Sequence, residues 1–259
     1  MEPPASGAHH YDYFPEEAPM SRLFRSARLA AVAASILLLS AAAFASDGVD
    51  SLVRKSVDAY GGEAALARAA HIRQFGKTSS IMRTGTTGTI QREFTAPDRL
   101  RVQITYGRDV ETRVFDGKDG WRMGKKVDGA PYDAMVLQAA RLALPLNLLR
   151  NRKKLVDKGV GEVDGKPVRT LELPLGGGLK LTVDIDPETG RIVRSAGRGG
   201  EGMGGQPLEF ITGYSDFRKV GALLFAFREA NFANGFVTGE TILEKVELPA
   251  VLPAATFRP

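Results

Sequence analysis

The sequence predicts a mainly β protein covered by a few helices, an α+β class. Three observations carry this reading. Between residues 72 and 247, apolar and polar residues alternate in short runs separated by Gly- and Asp-rich turns, about eleven runs in all. Two segments, 49–70 and 130–150, carry helical spacing instead. Hydrophobic residues make up 43% and charged residues 25% of the 259, which is ordinary for a globular chain and argues against disorder over most of its length.

The chain opens on an address. Arg22, Arg25 and Arg28 follow Met20, an apolar stretch runs uncharged from Leu29 to Ala45, and Ala43-Phe44-Ala45 closes it. A positive region, a short apolar core and a small-residue cleavage site, in that order, read as a cleavable signal peptide over 20–45. A spanning helix needs about 20 apolar residues, and this run is shorter. The prediction is export to a bacterial periplasm through the general secretory route, since no twin arginine is present. No cysteine follows the cleavage site, so lipid attachment there is excluded. Residues 1–19 are Pro-rich and polar and lie upstream of the signal. They read as a mis-called extension, with Met20 the true start, or as a disordered tail. Residues 46–259 then form a single domain.

The first helix spans 49–70. Val49, Leu52, Val53, Val57 and Tyr60 follow a three-to-four spacing, and Gly61-Gly62 interrupts it. After His71 the period changes to two. Leu100, Val102, Ile104 and Tyr106 share one face. So do Leu179, Leu181, Val183 and Ile185, then Leu208, Phe210, Thr212 and Tyr214, then Leu223, Phe225 and Phe227. Turns at Asp116-Gly117, Asp119-Gly120, Asp164-Gly165, Gly176 to Gly178 and Asp186 to Gly190 separate the runs. Such an order describes an antiparallel meander. The second helical segment, Ala130 to Arg150, places Met135, Val136, Ala139, Leu142 and Ala143 on one stripe, and Pro145 splits it. A long open sheet curls, and its concave apolar face needs a cover. These two helical segments are the available covers. Gly197 to Gly205 reads as a flexible hairpin connection. It is not a phosphate loop, because strands rather than a strand and a helix flank it.

Much chemistry is absent. With no cysteine there is no disulfide, thiolate zinc site, iron–sulfur cluster or cysteine nucleophile. Of three histidines, His9 and His10 lie in the extension, and His71 stands alone. A His-based triad or metal site lacks its partners, and no Gly-x-Ser-x-Gly elbow appears. Asp184 and Asp186 share a strand face, but the following Pro-Glu-Thr-Gly turn makes them a solvated strand exit. No enzyme activity, cofactor or metal is expected. The basic run Arg150 to Lys154 has two readings, contact with anionic lipid headgroups or cations closing a helix against its dipole, and the second is favoured. Trp121 has core packing as its default role, with a ligand-facing wall as the rival. An exported protein does not meet its cell's nucleic acid, so none is expected as a partner.

The order of Ala96-Pro-Asp-Arg-Leu-Arg101, Phe115-Asp-Gly-Lys-Asp-Gly-Trp121, a helical insert, Val183-Asp-Ile-Asp-Pro-Glu-Thr-Gly-Arg-Ile192, Gly213-Tyr-Ser-Asp-Phe-Arg-Lys219 and Ala255-Thr-Phe-Arg-Pro259 resembles the periplasmic lipoprotein-localisation family, the LolA/LolB-like outer-membrane lipoprotein-sorting proteins. The resemblance covers nearly all of 49–259. It implies an open half-barrel of about eleven strands, closed by the N-terminal and inserted helices, with an apolar cavity for the acyl chains of lipoproteins or lipids. It further implies a monomeric carrier working towards the outer membrane, with membrane-bound donor and acceptor proteins as partners. On this footing Phe115, Trp121, Met135, Leu142, Leu144 and Leu148 are the expected lining of the cavity and its lid. One departure matters. The lipoprotein carrier has a basic residue before the proline that opens the third strand, and this chain has Ala96 there. The rival reading on the same fold is an envelope sensor or interaction module that binds a protein partner.

Overall fold

The computed structural model of the chain describes residues 48–83, 86–201 and 207–259, without the side chains of Met82 and Glu201. The predicted signal segment 20–45 and the extension 1–19 lie outside the described residues.

Helices α1 (Val49–Ala59) and α2 (Glu63–Arg68) come first. Leu52, Val53, Ser56 and Val57 bury one stripe of α1, at the spacing the sequence shows. Strands β1 (His71–Ser80), β2 (Thr87–Thr95), β3 (Arg99–Tyr106), β4 (Asp109–Phe115), β5 (Gly120–Arg122) and β6 (Lys125–Val127) follow as a meander. Helices α3 (Gly129–Leu142) and α4 (Leu146–Arg150) interrupt it. The meander resumes through β7 (Val156–Val163), β8 (Lys166–Gly176), β9 (Leu179–Ile185), β10 (Ile192–Glu201), β11 (Pro207–Val220), β12 (Leu223–Ala233) and β13 (Phe236–Glu247). A short 3-10 turn, Ala254–Phe257, ends the fold.

All thirteen strands form one antiparallel sheet in the order β6-β5-β4-β3-β2-β1-β13-β12-β11-β10-β9-β8-β7. The outer strands β6 and β7 are not paired with each other, so the sheet is open. Thirteen strands stand where about eleven were expected. The three-residue strands β5 and β6 are too short for an alternation to show. Because β6 and β7 are the two edges, the α3–α4 segment carries the chain from one edge to the other.

That crossing reveals the curvature. Helix α3 touches β3, β4 and β5 on one arm and β9 and β10 on the other. In a flat sheet β4 and β10 would lie seven strand steps apart, about 34 Å at about 4.8 Å per step. Helix α3 has 14 residues and is about 21 Å long, shorter than that span, so the sheet must curl around it. The core divides accordingly. Leu137, Ala140 and Leu148 pack with α1 against Leu171, Leu181, Val183 and Ile185. Met135 and Ala139 pack on the other arm against Ile90, Leu100, Val102 and Phe115. The insert is therefore apolar on two faces, wider than a single stripe.

Gly197 to Glu201 does not form a flexible connection but the end of β10; residues 202–206 lie outside the described set. These glycines let α3 lie against the strand. A Cβ at Gly197 would run into the Leu137 side chain, and one at Gly199 would stand 2.5 Å from Asp133 Cβ. Asp184 is likewise not solvated. It is buried, accepting from Thr170 Oγ1 at 2.5 Å and from Arg194 Nε at 2.6 Å. A two-residue alternation says which face a carboxylate takes, not whether neighbouring side chains cover it. Asp186 does cap the turn, accepting from the amides of Glu188 and Thr189.

Candidate functional site: a lidded cavity with a polar floor

One cavity of about 110 Å³ lies between the α3–α4 lid and the inner face of the sheet. Its rim is apolar. Leu144 from the α3–α4 joint, Leu66 and Ala69 from the α2 region, and Leu224 and Phe225 from the start of β12 surround it, all half-buried. Ala96, the position expected to be basic in a lipoprotein carrier, is part of the same lining. The rim is apolar because the insert presents Leu142, Ala143 and Leu144 in succession as the helix ends before Pro145.

The floor is polar. Gln74 of β1, Arg92 of β2, Tyr214 of β11 and Glu229 of β12 point inward. Arg92 and Glu229 are three strand steps apart, about 14 Å in a flat sheet. The curl brings them together: Arg92 Nη1 and Nη2 donate to Glu229 Oε1 and Oε2 at 2.7 and 2.6 Å. Arg92 Nη1 also reaches Gln74 Oε1 at 3.3 Å. Burial alone would push the Glu229 carboxyl up, but the charge and hydrogen bonds of Arg92, with Arg141 further off, hold it below the ordinary carboxylate range. Tyr214 exchanges a hydrogen bond with the fully buried Ser195 hydroxyl at 2.7 Å, and burial pushes its phenol up. Tyr60, at the end of α1, accepts from the Ile192 amide at 3.2 Å, and burial pushes its phenol up as well.

From the lid, Arg141 reaches down. Its Nη1 donates to Thr212 Oγ1 at 2.7 Å, and that hydroxyl lies 3.1 Å from Asn231 Oδ1. The contact ties the helix to β11. Arg150 stands at the rim, and Arg152, Lys153 and Lys154 are exposed in the turn after α4.

The six residues expected to line the cavity take three places. Leu142 and Leu144 are on its wall. Phe115 of β4 and the lid's own Met135 and Leu148 are buried in the cores between lid and sheet, with Phe115 edge-on to Tyr132 at 5.8 Å between ring centroids. Trp121 packs with Val114, Leu252 and Phe257 on the other face of the sheet, since Val114 and Phe115 alternate across it. Arg99, near the Ala96 departure, lies over the Phe257 ring at 5.9 Å, and Arg101 donates to the Thr256 carbonyl at 3.5 Å. Sequence reasoning missed the polar floor. A signal was there: Ile90-x-Arg92-x-Phe94 and Phe225-x-Phe227-x-Glu229 each place one charge on an otherwise apolar face.

Among the described residues no group of three or more His, Cys, Asp or Glu side chains is placed to hold a metal. None of the described helices is long and apolar enough to cross a membrane.

No family model matches the chain, and no curated protein sequence matches it. Solved structures do. An outer membrane lipoprotein-sorting protein domain from Vibrio parahaemolyticus superposes with a TM-score of 0.52 at 12% identity, over 80% of this chain and 95% of that one. A DUF1329 family protein from Desulfovibrio piger gives 0.49 at 10% identity, over 82% and 98%. A LolA superfamily protein from Nitrosomonas europaea gives 0.43 at 11% identity, over 77% and 98%. At this identity the likeness is one of fold: an open antiparallel sheet around a helical insert, shared with a lipoprotein-sorting domain.

Proposed function

We propose that this chain is a periplasmic carrier or binding protein that holds acyl chains of lipoproteins or lipids between the curled sheet and the α3–α4 lid, for transport towards the outer membrane. The observation that carries the reading is the apolar-rimmed cavity under a helical segment that carries the chain from one edge strand of the open sheet to the other. The fold shared with the Vibrio parahaemolyticus sorting domain supports it. So does the signal-like segment before residue 46.

The energetics are adequate. Each buried methylene contributes about 0.8 kcal/mol, so a chain of about 16 carbons contributes at most about 12 kcal/mol before ordering costs. The cavity, open to solvent on one side, does not enclose that chain whole. At about 110 Å³ it is smaller than the cavity of about 150 Å³ that accepts one benzene. Enclosing the whole chain requires α3–α4 to lift, and the Arg141–Thr212 contact is the polar tie that must break. The work this reading asks of the protein is binding and release.

Gel filtration after incubation with vesicles carrying a fluorescent phospholipid, and separately with a triacylated peptide, tests this. Co-elution of either with the protein at one equivalent or less is the expected result. Absence of both from the protein peak would overturn the carrier reading.

A further inference from the structure

The charges on the cavity floor do not balance. Both Glu229 oxygens are taken by Arg92. Arg141 also lines the cavity; among the described residues it forms no ion pair, although its charge is felt at Glu229, and its hydrogen bond goes to the neutral hydroxyl of Thr212. A guanidinium carries five donors in a rigid fork, and one of Arg141's is used. A second donor belongs to a residue of the same lining. Arg92 Nε is buried and has no hydrogen-bond partner among the described residues. A buried donor without a partner and a half-buried cation without a counter-charge are both costly. One acceptor carrying one negative charge relieves both.

The arrangement of polarity then orients the ligand. The buried lining holds Gln74, Arg92 and Glu229 beside the apolar Phe94, Ile192 and Leu223, whereas the half-buried Leu66, Leu144, Leu224 and Phe225 make an apolar rim next to Arg150. A tail-first acyl chain would set methylenes against buried charges. A head-first amphiphile matches its ends to the walls. The head must be small, because the cavity is only about 110 Å³. One negative charge suffices, because among the described residues of the floor Arg141 is the cation left over once Arg92 and Glu229 pair. A carboxylate meets both conditions and suits the planar fork of arginine. It also ends in a single substituent and so fits a blind floor, where a phosphodiester needs room on both sides.

We propose that the cavity takes a single-chain acyl carboxylate, a fatty acid, head first, with its carboxylate held by Arg141 near Arg92 Nε and its chain leaving over the apolar rim beneath the lid. This rests on the acyl-binding reading above and narrows it to a ligand class. Arg141 then has two alternative partners. Without ligand it ties the lid to Thr212; with ligand it meets the carboxylate, which offers α3 a reason to move.

The test uses the full chain, exported by a bacterial host and stripped of lipid. Calorimetric titration compares palmitate with its methyl ester and with a lysophosphatidate of the same chain length. The expected result is saturable one-to-one binding of palmitate. The methyl ester should bind at least tenfold more weakly, since a charged hydrogen bond contributes that much or more. Arg141→Met should cost palmitate about ten- to a hundredfold and leave the ester's affinity within about threefold. Arg141→Lys should recover part of the loss, and the far-ultraviolet spectrum and melting of each variant confirm that it is folded. Equal binding of acid and ester, both unaffected by Arg141→Met, would overturn the head-first assignment while leaving acyl binding intact. Tighter binding of lysophosphatidate than of palmitate would replace the carboxylate by a phosphate. Binding of none of the three, with phospholipid and triacylated peptide also excluded, would overturn the acyl-binding reading itself.

Discussion

Replacing Glu229 with Gln removes one charge from a pair that the sheet's curvature brings together. The Arg92 and Glu229 side chains keep 6% and 11% of their exposure, and two hydrogen bonds of 2.7 and 2.6 Å join them. Removing one partner of such a pair leaves the other charge buried and costs about 3–5 kcal/mol. For a domain of this size each kcal/mol lowers the melting temperature by about 2–4 °C, so Glu229→Gln and Arg92→Met should each lower it by roughly 6–20 °C. The double variant Arg92→Met/Glu229→Leu removes both charges and should recover most of the loss, because an apolar replacement of a buried pair is often neutral. The pH dependence follows from the lowered Glu229 carboxyl. Its folded value lies below the ordinary 4.5, so its contribution is fully present above that pH and is lost as the pH falls through the folded value. The melting difference between wild type and Glu229→Gln should therefore be constant from pH 7 to about 5 and shrink only at more acid pH. Thermal melts followed by circular dichroism at several pH values measure all of this. Single variants within about 1 kcal/mol of wild type would show that the pair is hydrated and that the floor is not the buried surface described here.

Three further outcomes follow from the same geometry. Gly199→Ala should push α3 off β10, since the added Cβ would stand 2.5 Å from Asp133 Cβ; a destabilisation of about 1–3 kcal/mol and increased binding of a hydrophobic dye are expected, and an unchanged melt would mean that the helix does not seat on the glycines. Leu148→Ala should cost about 2–5 kcal/mol in urea unfolding, because Leu148 is fully buried under the lid and its loss leaves a cavity; a cost below 1 kcal/mol would place it outside the core. Trp121, the sole tryptophan, packs on the face away from the cavity, so its emission maximum should not move when lipid binds, and a clear blue shift would locate the ligand on the opposite side of the sheet.

The parts of this structure that depend on neighbours in sequence were legible there. The alternation from Arg99 to Tyr106 became β3, Gly61-Gly62 separated α1 from α2, and Pro145 split the insert. That the insert covers the sheet was also readable, because a long curled sheet has one uncovered apolar face. Long-range placement was not. Nothing local says that α3 begins at one edge strand and α4 leads to the other. Trp121 and Phe115 looked alike as aromatic residues beside a turn, yet they fall on opposite faces of the sheet, and the partner that buries Trp121, Phe257, arrives from the far end of the chain. The polar floor needed both kinds of information. Arg92 and Glu229 interrupt the inward apolar positions visibly, but only a sheet that curls by three strands makes them partners.

Native mass spectrometry of the exported protein, purified without detergent, tests the central claim most directly. The account predicts a population carrying a non-covalent species of acyl-lipid mass, lost on organic extraction and restored by incubation with lipid or acylated peptide. A single apo mass that persists after those incubations would contradict it and would leave the curled sheet and its lid as a surface for a protein partner.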